Sequence, residues 1–376
     1  MKTFDLIVVG GSFAGLACAR TAALRGLKVA VLDRKPEAGE GVRTTGILVK
    51  EAADDVDVPP DLTRRVRGVR LYAPNGIHTD HWAPGYYFLV TDTPNLLRWM
   101  ADEARRAGAV IKWRTRFKAA DILSDGVVLP DLGLKARLLI GADGATSNVA
   151  RVLGLDRNRQ FLAGVEWELA LGAGLDPRFL HCMLDSELAP GYIAWAVPGV
   201  NAIQLGLAAR TDTKPDPAKI LHRYGARLGL RQSQIVDVRS GLIPVGGALS
   251  RTARGPVMLI GDAAGHCSPL TGGGITLALR LGRRAAQTAF DWLTADGEHP
   301  SIVLAREVPR FALKGLMRHA LNLAPPNWVW NATLGTTAFG RLAHAVYFHK
   351  RGHPGELPFE QVRVGPRGLA KDHAKV

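Results

Sequence analysis

Residues 6–15 read Leu6-Ile7-Val8-Val9-Gly10-Gly11-Ser12-Phe13-Ala14-Gly15, an apolar run followed at once by a turn of small residues. The four apolar residues predict a parallel strand that is buried on both faces. A helix is predicted after the turn, and a second apolar run, Val29-Ala30-Val31-Leu32, ends on Asp33. Strand, glycine turn, helix and strand in this order predict a βαβ unit that binds a dinucleotide.

Three residues of this unit have predictable tasks. At Gly10 the backbone must turn sharply out of the strand, and at Gly15 the helix must approach the strand closely. Free N–H groups at the start of the helix, beyond Ser12, favour a pyrophosphate. Asp33 stands where a carboxylate can accept hydrogen bonds from ribose hydroxyls, and its charge disfavours a 2′-phosphate. The bound adenosine is therefore predicted to belong to FAD or NAD rather than NADP.

Two further turns follow buried strands, Gly141-Ala142-Asp143-Gly144 and Gly261-Asp262-Ala263-Ala264-Gly265. The second of these leads into the glycine-rich stretch 269–274 and a predicted helix. The Asp262 carboxylate can accept hydrogen bonds from a polyol such as the flavin ribityl chain, and a helix amino end stabilises the anion of reduced flavin. Together the three turns predict one ligand, FAD, held at its two ends and its middle.

The predicted cofactor-binding residues come from these turns and from the basic residues near Asp33. They are Gly10, Gly11, Ser12, Phe13, Ala14, Gly15, Asp33, Arg34, Arg43, Asp143, Gly144, Gly261, Asp262, Ala263, Pro269, Thr271, Gly272, Gly273, Gly274 and Ile275. Arg43 is interpreted either as a neutralising partner of the pyrophosphate, or of substrate, or as an ordinary surface arginine.

Catalytic residues are less clearly marked, and three side chains are candidates. His266, inside the flavin loop, is a candidate proton donor near pH 7, or it only closes the loop. Trp195 and Tyr192 either line a substrate pocket or pack in a core. Cys18, Cys182 and Cys267 are widely separated, so neither a metal site nor a disulfide framework is expected.

The fold class predicted is α/β: a Rossmann-like FAD-binding domain with an inserted β-rich substrate domain and a helical C-terminal tail. The FAD-binding domain is expected at 1–65, 94–155 and 251–300. The substrate domain is expected at 66–93 and 156–250, where Asn75-Gly76 indicates a hairpin. The tail, 301–376, is predicted to be helical until Pro325-Pro326 and is aromatic after it.

The chain has 376 residues, and it carries a formal charge of +14. Half of that excess lies in 301–376, which has 11 Lys and Arg against 4 Asp and Glu. A basic surface favours phosphates, nucleic acid or an anionic membrane, and with no nucleic-acid module present, no nucleic-acid partner is expected. The tail either covers the β-rich domain or contacts a membrane surface peripherally. Without a signal peptide or an apolar run that spans a bilayer, the expected location is the cytoplasm, with an inner membrane face as a second possibility.

The motifs resemble the superfamily of FAD-dependent aromatic hydroxylases and geranylgeranyl reductases over residues 4–290, and the reductase branch more closely. The resemblance rests on the flavin loop Ser268-Pro269-Leu270-Thr271-Gly272-Gly273-Gly274-Ile275 and on the stretch Pro190-Gly191-Tyr192-Ile193-Ala194-Trp195-Ala196-Val197-Pro198. One departure is Thr44, which follows Arg43 where that branch carries a cysteine.

The resemblance implies a two-domain fold, bound FAD and hydride transfer to carbon–carbon double bonds of an isoprenoid or other lipophilic substrate. The alternative function is a monooxygenase that hydroxylates or epoxidises an organic substrate through a flavin hydroperoxide. A third alternative is a flavin-containing membrane or partner-binding protein with little turnover. The electron donor is left open between NAD(P)H and a ferredoxin-like protein.

Overall fold

A computed structural model describes residues 1–171, 174–230, 234–348 and, for the backbone alone, 362–364. The strands are β1 Lys2–Val9, β2 Val29–Leu32, β3 Ile47–Val49, β4 Thr63–Val66, β5 Gly68–Tyr72, β6 His78–Trp82, β7 Phe88–Thr91, β8 Val110–Lys112, β9 Asp121–Leu123, β10 Gly126–Leu129, β11 Leu134–Gly141, β12 Phe161–Ala170, β13 Phe179–Met183, β14 Ala194–Pro198, β15 Ala202–Arg210, β16 Ile235–Pro244, β17 Ala253–Arg254, β18 Val257–Leu259 and β19 Val362–Val364. The helices are α1 Phe13–Leu24, α2 Lys50–Asp55, α3 Thr93–Arg106, α4 Asn148–Val152, α5 Ala218–Leu228, α6 Ile275–Thr294, α7 Pro300–Glu307, α8 Ala312–Asn322, α9 Asn327–Thr333 and α10 Thr337–Phe348.

The first of two compact units comprises Met1–Gly46, Thr93–Phe161 and Leu242–Met317. Its sheet has the order β17-β18-β11-β1-β2-β8, and the strands from β18 to β8 run parallel. Every residue of β2 and β18 is buried, as a parallel strand covered on both faces requires. The helices α1, α3 and α6 pack together beside this sheet. The Rossmann-like part of the predicted fold is confirmed.

The register of this sheet brings three strand ends together. Val9 pairs with Gly141 on one side and with Leu32 on the other, and Gly141 pairs with Leu259. Because the strands are parallel, the segments that follow them leave the sheet at one edge. Ligands of open α/β sheets bind at this carboxyl edge.

The second unit comprises Ile47–Asp92, Leu162–Gly241 and the chain from Arg318 onward. Its larger sheet has the order β16-β12-β15-β14-β13-β5-β6-β19, and a smaller sheet has the order β3-β7-β4. The hairpin predicted at Asn75-Gly76 joins β5 and β6, which pair antiparallel. This is the β-rich insert that the sequence predicts.

The C-terminal segment is helical from α7 to α10, and Pro325-Pro326 separates α8 from α9 as predicted. Its aromatic part packs within the second unit. The Phe348 ring is fully buried, with its centroid 5.4 Å from that of Tyr86, and the Trp330 indole donates a hydrogen bond to Ser186 Oγ at 2.9 Å. The rest of the predicted tail, 349–361 and 365–376, lies outside the described residues.

The two units divide the chain differently from the predicted domains at several places, including 156–161 and 242–250, which the prediction assigns to the substrate domain and which lie in the first unit. The prediction assigns 47–65 to the cofactor domain, whereas the second unit begins at Ile47. The prediction treats 301–376 as a separate segment, whereas the units divide it after Met317. The functional domain bounds themselves stay a prediction.

Candidate functional site

The three predicted turns lie against one another at the carboxyl edge of the first sheet. A side chain on Gly10 would overlap the carbonyl oxygen of Ala142, and one on Gly261 would come 2.9 Å from the Ala14 side chain. Asn158 links the other two turns, because its side-chain amide donates to Ala145 O at 3.0 Å and to Asp262 O at 2.8 Å. Turns far apart in sequence thus lie together at this edge of the sheet.

The first turn has the geometry that a pyrophosphate requires. Gly10 has φ of +115°, and a Cβ atom on Gly15 would overlap the Gly10 carbonyl oxygen. Ser12 precedes α1 in an extended conformation, and its side chain makes no capping hydrogen bond. The N–H groups of the first helical turn are therefore left to a ligand, with the positive end of the helix dipole behind them. Phe13 and Ala14 are buried within that turn.

Asp33 follows β2 and faces the first turn. Its Oδ2 accepts a hydrogen bond from the Gly11 N–H at 2.6 Å, and its Oδ1 accepts one from the Lys35 N–H at 2.8 Å. Each oxygen keeps a lone pair for a ribose hydroxyl. Arg34 and Arg43 are both exposed.

Trp113 was missed by the sequence reasoning, although it lies against Gly11. A Cβ atom on Gly11 would come 2.8 Å from the Trp113 ring. The signal was available, because Trp113 directly follows β8, the strand that pairs with β2.

The second turn uses its carboxylate within the chain. Asp143 Oδ1 accepts from the Ser147 hydroxyl at 2.6 Å, and Oδ2 accepts from the N–H groups of Asn148 and Val149 at 2.7 and 3.0 Å. Ser147 Oγ in turn accepts from the Ala150 N–H at 3.0 Å. The Asp143 side chain therefore holds the start of α4, and the backbone of this turn is what lies beside Gly10.

The third turn keeps its carboxylate free of internal partners. Burial raises the pKa of Asp262 to about 6. Within the described ranges the Asp262 carboxylate accepts no hydrogen bond, and its Oδ1 lies 2.9 Å from where a Cβ atom of Gly274 would stand. The loop residues Thr271, Gly272 and Gly273 precede Gly274, and α6 begins at Ile275. A half-buried acceptor without a partner beside a helix amino end fits the hydroxyls of a flavin ribityl chain.

His266 and Cys267 lie in the same loop and are both buried. Burial lowers the pKa of His266 to about 4 and raises that of the Cys267 thiol well above its usual value. His266 also borders a cavity of about 440 Å³ together with Pro269, Gly247 and Phe311. At neutral pH the imidazole is neutral and Cys267 is a thiol, which disfavours His266 as an imidazolium donor.

The two aromatic candidates belong to the second unit, whereas the three turns belong to the first. Trp195 lies on β14, and its indole N–H donates to Glu166 Oε2 at 2.9 Å. Gly206 pairs with Trp195 on the neighbouring strand β15. A Cβ atom at this position would come 2.7 Å from the Trp195 ring, so the close contact requires glycine. Tyr192 is half-buried in the preceding turn, with the Arg318 guanidinium 5.9 Å from its ring centroid.

A buried charged group that lies near Glu166, the partner of Trp195, also escaped the sequence reasoning. Arg239, only 8% exposed, lies 3.8 Å from Glu166 Oε1 and forms an ion pair with Glu168. Burial raises the pKa of Glu168 more than the ion pair with Arg239 lowers it. The signal was the Glu166-Trp167-Glu168 alternation, which places two acids on one face of β12.

Comparisons with known proteins agree with this geometry. The family described as FAD dependent oxidoreductase matches residues 5–152, and the family described as lycopene cyclase protein matches residues 213–318. A digeranylgeranylglycerophospholipid reductase of Methanosarcina acetivorans is 31% identical over 314 residues, which cover 78% of this chain and 76% of the relative. The same-named protein of Methanothrix thermoacetophila is 32% identical over 76% of this chain and 78% of the relative.

The chain belongs to the digeranylgeranylglycerophospholipid reductase family. It is an FAD-dependent oxidoreductase, as the three turns predict. A solved structure of a geranylgeranyl bacteriochlorophyll reductase-like protein from Thermoplasma acidophilum covers 93% of this chain and 98% of its own, with a TM-score of 0.80 at 21% identity. That likeness confirms the predicted fold. None of the helices in the described part of this family member is long and apolar enough to cross a membrane.

Proposed function

We propose that the chain reduces carbon–carbon double bonds of an isoprenoid or similarly lipophilic substrate. The names of its relatives support a reductase that acts on a geranylgeranyl lipid. The observation that carries the proposal is the Asp262 carboxylate, which is half-buried beside the glycine-rich loop and has no hydrogen-bond partner among the described residues. Such an acceptor fits the ribityl chain and would place a flavin ring along residues 271–275.

The cofactor roles follow from the geometry of the three turns. We assign the pyrophosphate to the N–H groups at the start of α1, with Gly10 and Gly15 allowing close approach. We assign the adenosine ribose to Asp33, and the ring edge to the backbone of Gly272–Ile275 at the amino end of α6. Arg34 and Arg43 would add positive charge near the phosphates.

When bound and reduced, FAD supplies a hydride to one carbon of the double bond, and the other carbon takes a proton. His266 is neutral at neutral pH because burial lowers its pKa to about 4, so we propose solvent as the proton source. Trp195 is the better of the two candidates for contact with an apolar chain. Its indole N–H donates to Glu166, and its ring lies against Gly206.

Two features of the proposal concern the surroundings of the enzyme. The proposed electron donor is NAD(P)H or a ferredoxin-like protein, and the experiment below tests both. The location proposed is the cytoplasm, with peripheral membrane contact through the basic segment 301–376, since a lipid substrate lies in a membrane.

The test is anaerobic turnover of the purified, flavin-loaded protein. The flavin is reduced with dithionite, and a detergent-dispersed geranylgeranyl lipid is added. We expect the flavin to return to its oxidised spectrum and the lipid to gain two hydrogens per double bond. NADPH and reduced ferredoxin then replace dithionite in parallel reactions to identify the donor. If reoxidation requires oxygen and the product gains an oxygen atom, the monooxygenase alternative is correct and the proposal is wrong.

A further inference from the structure

The chain that follows β8 is hydrogen-bonded to the chain that follows β2. The Asp33 N–H donates to the carbonyl oxygen of Lys112 at 3.0 Å, and the Arg114 N–H donates to that of Lys35 at 2.8 Å. These bonds continue the pairing of the two parallel strands beyond their ends. They hold the intervening residue, Trp113, beside the carboxylate to which we assign the adenosine ribose.

The backbone turns sharply just after Trp113. Arg114 has φ of +53°, in the left-handed region that residues other than glycine rarely adopt. Conformations of this kind persist where the surrounding structure requires them, and they cluster at ligand sites. Thr115 holds the turn, because its N–H donates to the Asp33 carbonyl oxygen at 2.8 Å and its hydroxyl donates to the Trp113 carbonyl oxygen at 3.0 Å. The backbone of Trp113 is therefore fixed on both sides.

The Trp113 ring lies close to both Gly11 and Asp33. A Cβ atom on Gly11 would stand 2.8 Å from the ring atom Cζ3 and 3.3 Å from Asp33 Oδ2, so the ring and the carboxylate flank one point. Trp113 is half-buried, and among the described residues no aromatic ring or guanidinium stacks on it. Part of the indole surface is thus left to solvent or to a ligand.

We infer that Trp113 binds the adenine ring of FAD and makes this site prefer FAD to FMN. The adenine is bonded to the ribose, so it must lie within a few ångströms of the carboxylate that accepts from the ribose hydroxyls. A tryptophan ring beside that carboxylate offers a flat apolar surface, and stacking of a base on an aromatic side chain is favourable. FMN has no adenine and gains nothing from this contact. The inference rests on the proposed assignment of the ribose to Asp33, and it adds the residue that recognises the base.

The test is binding of FAD and FMN to the full chain after its flavin has been removed, measured by quenching of flavin fluorescence. Trp113→Leu removes the aromatic ring but keeps an apolar side chain. We expect this variant to bind FAD about tenfold more weakly and FMN less than about twofold more weakly. Trp113→Phe keeps a ring and should recover most of the affinity for FAD.

The matched control is Trp292→Leu, at a second half-buried tryptophan of the first unit. The Trp292 ring packs on His299, with 4.9 Å between the ring centroids, and it lies about 25 Å along α6 from the flavin loop. This variant should leave the affinities for FAD and FMN within about twofold of the wild-type values.

A second measurement uses a variant that keeps the ring. ADP should quench the tryptophan emission of the flavin-free wild type, and Trp113→Phe should remove most of that quenching. Equal quenching in the two proteins would overturn the inference. Equal losses of FAD and FMN affinity in Trp113→Leu would also overturn it, because the indole would then only pack against the pyrophosphate turn, and so would an unchanged affinity for FAD.

Turnover of the geranylgeranyl lipid separates this inference from the proposed function. A Trp113-dependent preference for FAD in a protein that reduces no lipid supports the adenine contact and contradicts the reductase. Turnover by a protein whose preference for FAD does not depend on Trp113 does the reverse.

Discussion

Two aspartates at the same sheet edge, Asp143 in the second turn and Asp262 in the third, have opposite surroundings. Asp143 accepts hydrogen bonds from the Ser147 hydroxyl and from the N–H groups of Asn148 and Val149. Asp262 is half-buried and accepts none within the described residues, and burial raises its pKa to about 6. The Asp143 carboxylate stabilises the start of α4, whereas the Asp262 carboxylate is available to a ligand.

The comparison shows that a shared turn pattern does not give its aspartates the same task. A partly buried carboxylate without a partner costs some stability, and a ligand hydroxyl can supply that partner. A carboxylate whose oxygens are occupied stabilises the fold whether or not a ligand is bound. Mutations at the two positions should therefore affect different quantities.

The largest effect is expected on stability, from Asp143→Ala. The change removes three hydrogen bonds and leaves N–H groups at the start of α4 without a partner, so the free energy of unfolding should fall by about 2–3 kcal/mol. Urea denaturation of the FAD-free protein measures this. The control Asp143→Asn keeps an acceptor and should lose about half as much. If the variant is as stable as the wild type but fails to bind FAD, Asp143 belongs to the ligand site and the comparison fails.

The next effect is expected on FAD affinity, from Asp262→Ala. Loss of a charged acceptor for the ribityl hydroxyls should weaken FAD binding by about tenfold to a hundredfold. The FAD-free variant should be at least as stable as the wild type, because an uncompensated carboxylate has been removed. Quenching of flavin fluorescence on titration gives the affinity. Unchanged affinity would show that Asp262 does not contact the cofactor.

How far the sequence predicts this site depends on the kind of contact. The apolar strands and the glycines at 10 and 15 were predictable, because backbone geometry and close approach leave few alternatives. The separate tasks of Asp143 and Asp262 were not, because each depends on hydrogen-bond partners that only the folded chain supplies. Asn158 was missed for the same reason, whereas Trp113 was predictable from its place directly after β8.

In the second unit, too, local sequence patterns predict the secondary structure but not the contacts between residues that are distant in sequence. The hairpin at Asn75-Gly76 and the strand-rich insert follow from local patterns. The buried pairing of Arg239 with Glu168 joins two strands more than sixty residues apart in sequence, and no local pattern requires it. The exposed leucines of α8, Leu313 and Leu316, have helical spacing, but spacing alone does not tell which face of a helix is buried.

The third effect, on pH dependence, sharpens the comparison by using the raised pKa of Asp262. Its folded-state pKa of about 6 lies above the ordinary value of 3.8, so the folded state binds the proton more tightly than the unfolded state. The resulting destabilisation is absent below the ordinary pKa, grows as the pH rises toward 6 and is constant above that. The free energy of unfolding of Asp262→Asn should therefore exceed that of the wild type by an amount that grows between pH 4 and pH 7. The difference should reach about 2 kcal/mol, after allowance for the partial exposure of the side chain. Urea denaturation of both FAD-free proteins over that pH range measures the difference, and a constant difference would contradict it.

The smallest effect is expected from Asn158→Ala, which removes the link between the two turns. The side-chain amide of Asn158 donates to the carbonyl oxygens of Ala145 and Asp262, so its loss leaves both without that donor. The FAD-free protein should lose about 1 kcal/mol of stability, and FAD affinity should fall by about threefold as the third turn loosens. Combining Asn158→Ala with Asp143→Ala tests whether the turns act as one structure. Non-additive losses of stability would mean that the Asp143 hydrogen bonds and the Asn158 hydrogen bonds stabilise the same structure. Additive losses would mean that each turn is stabilised independently.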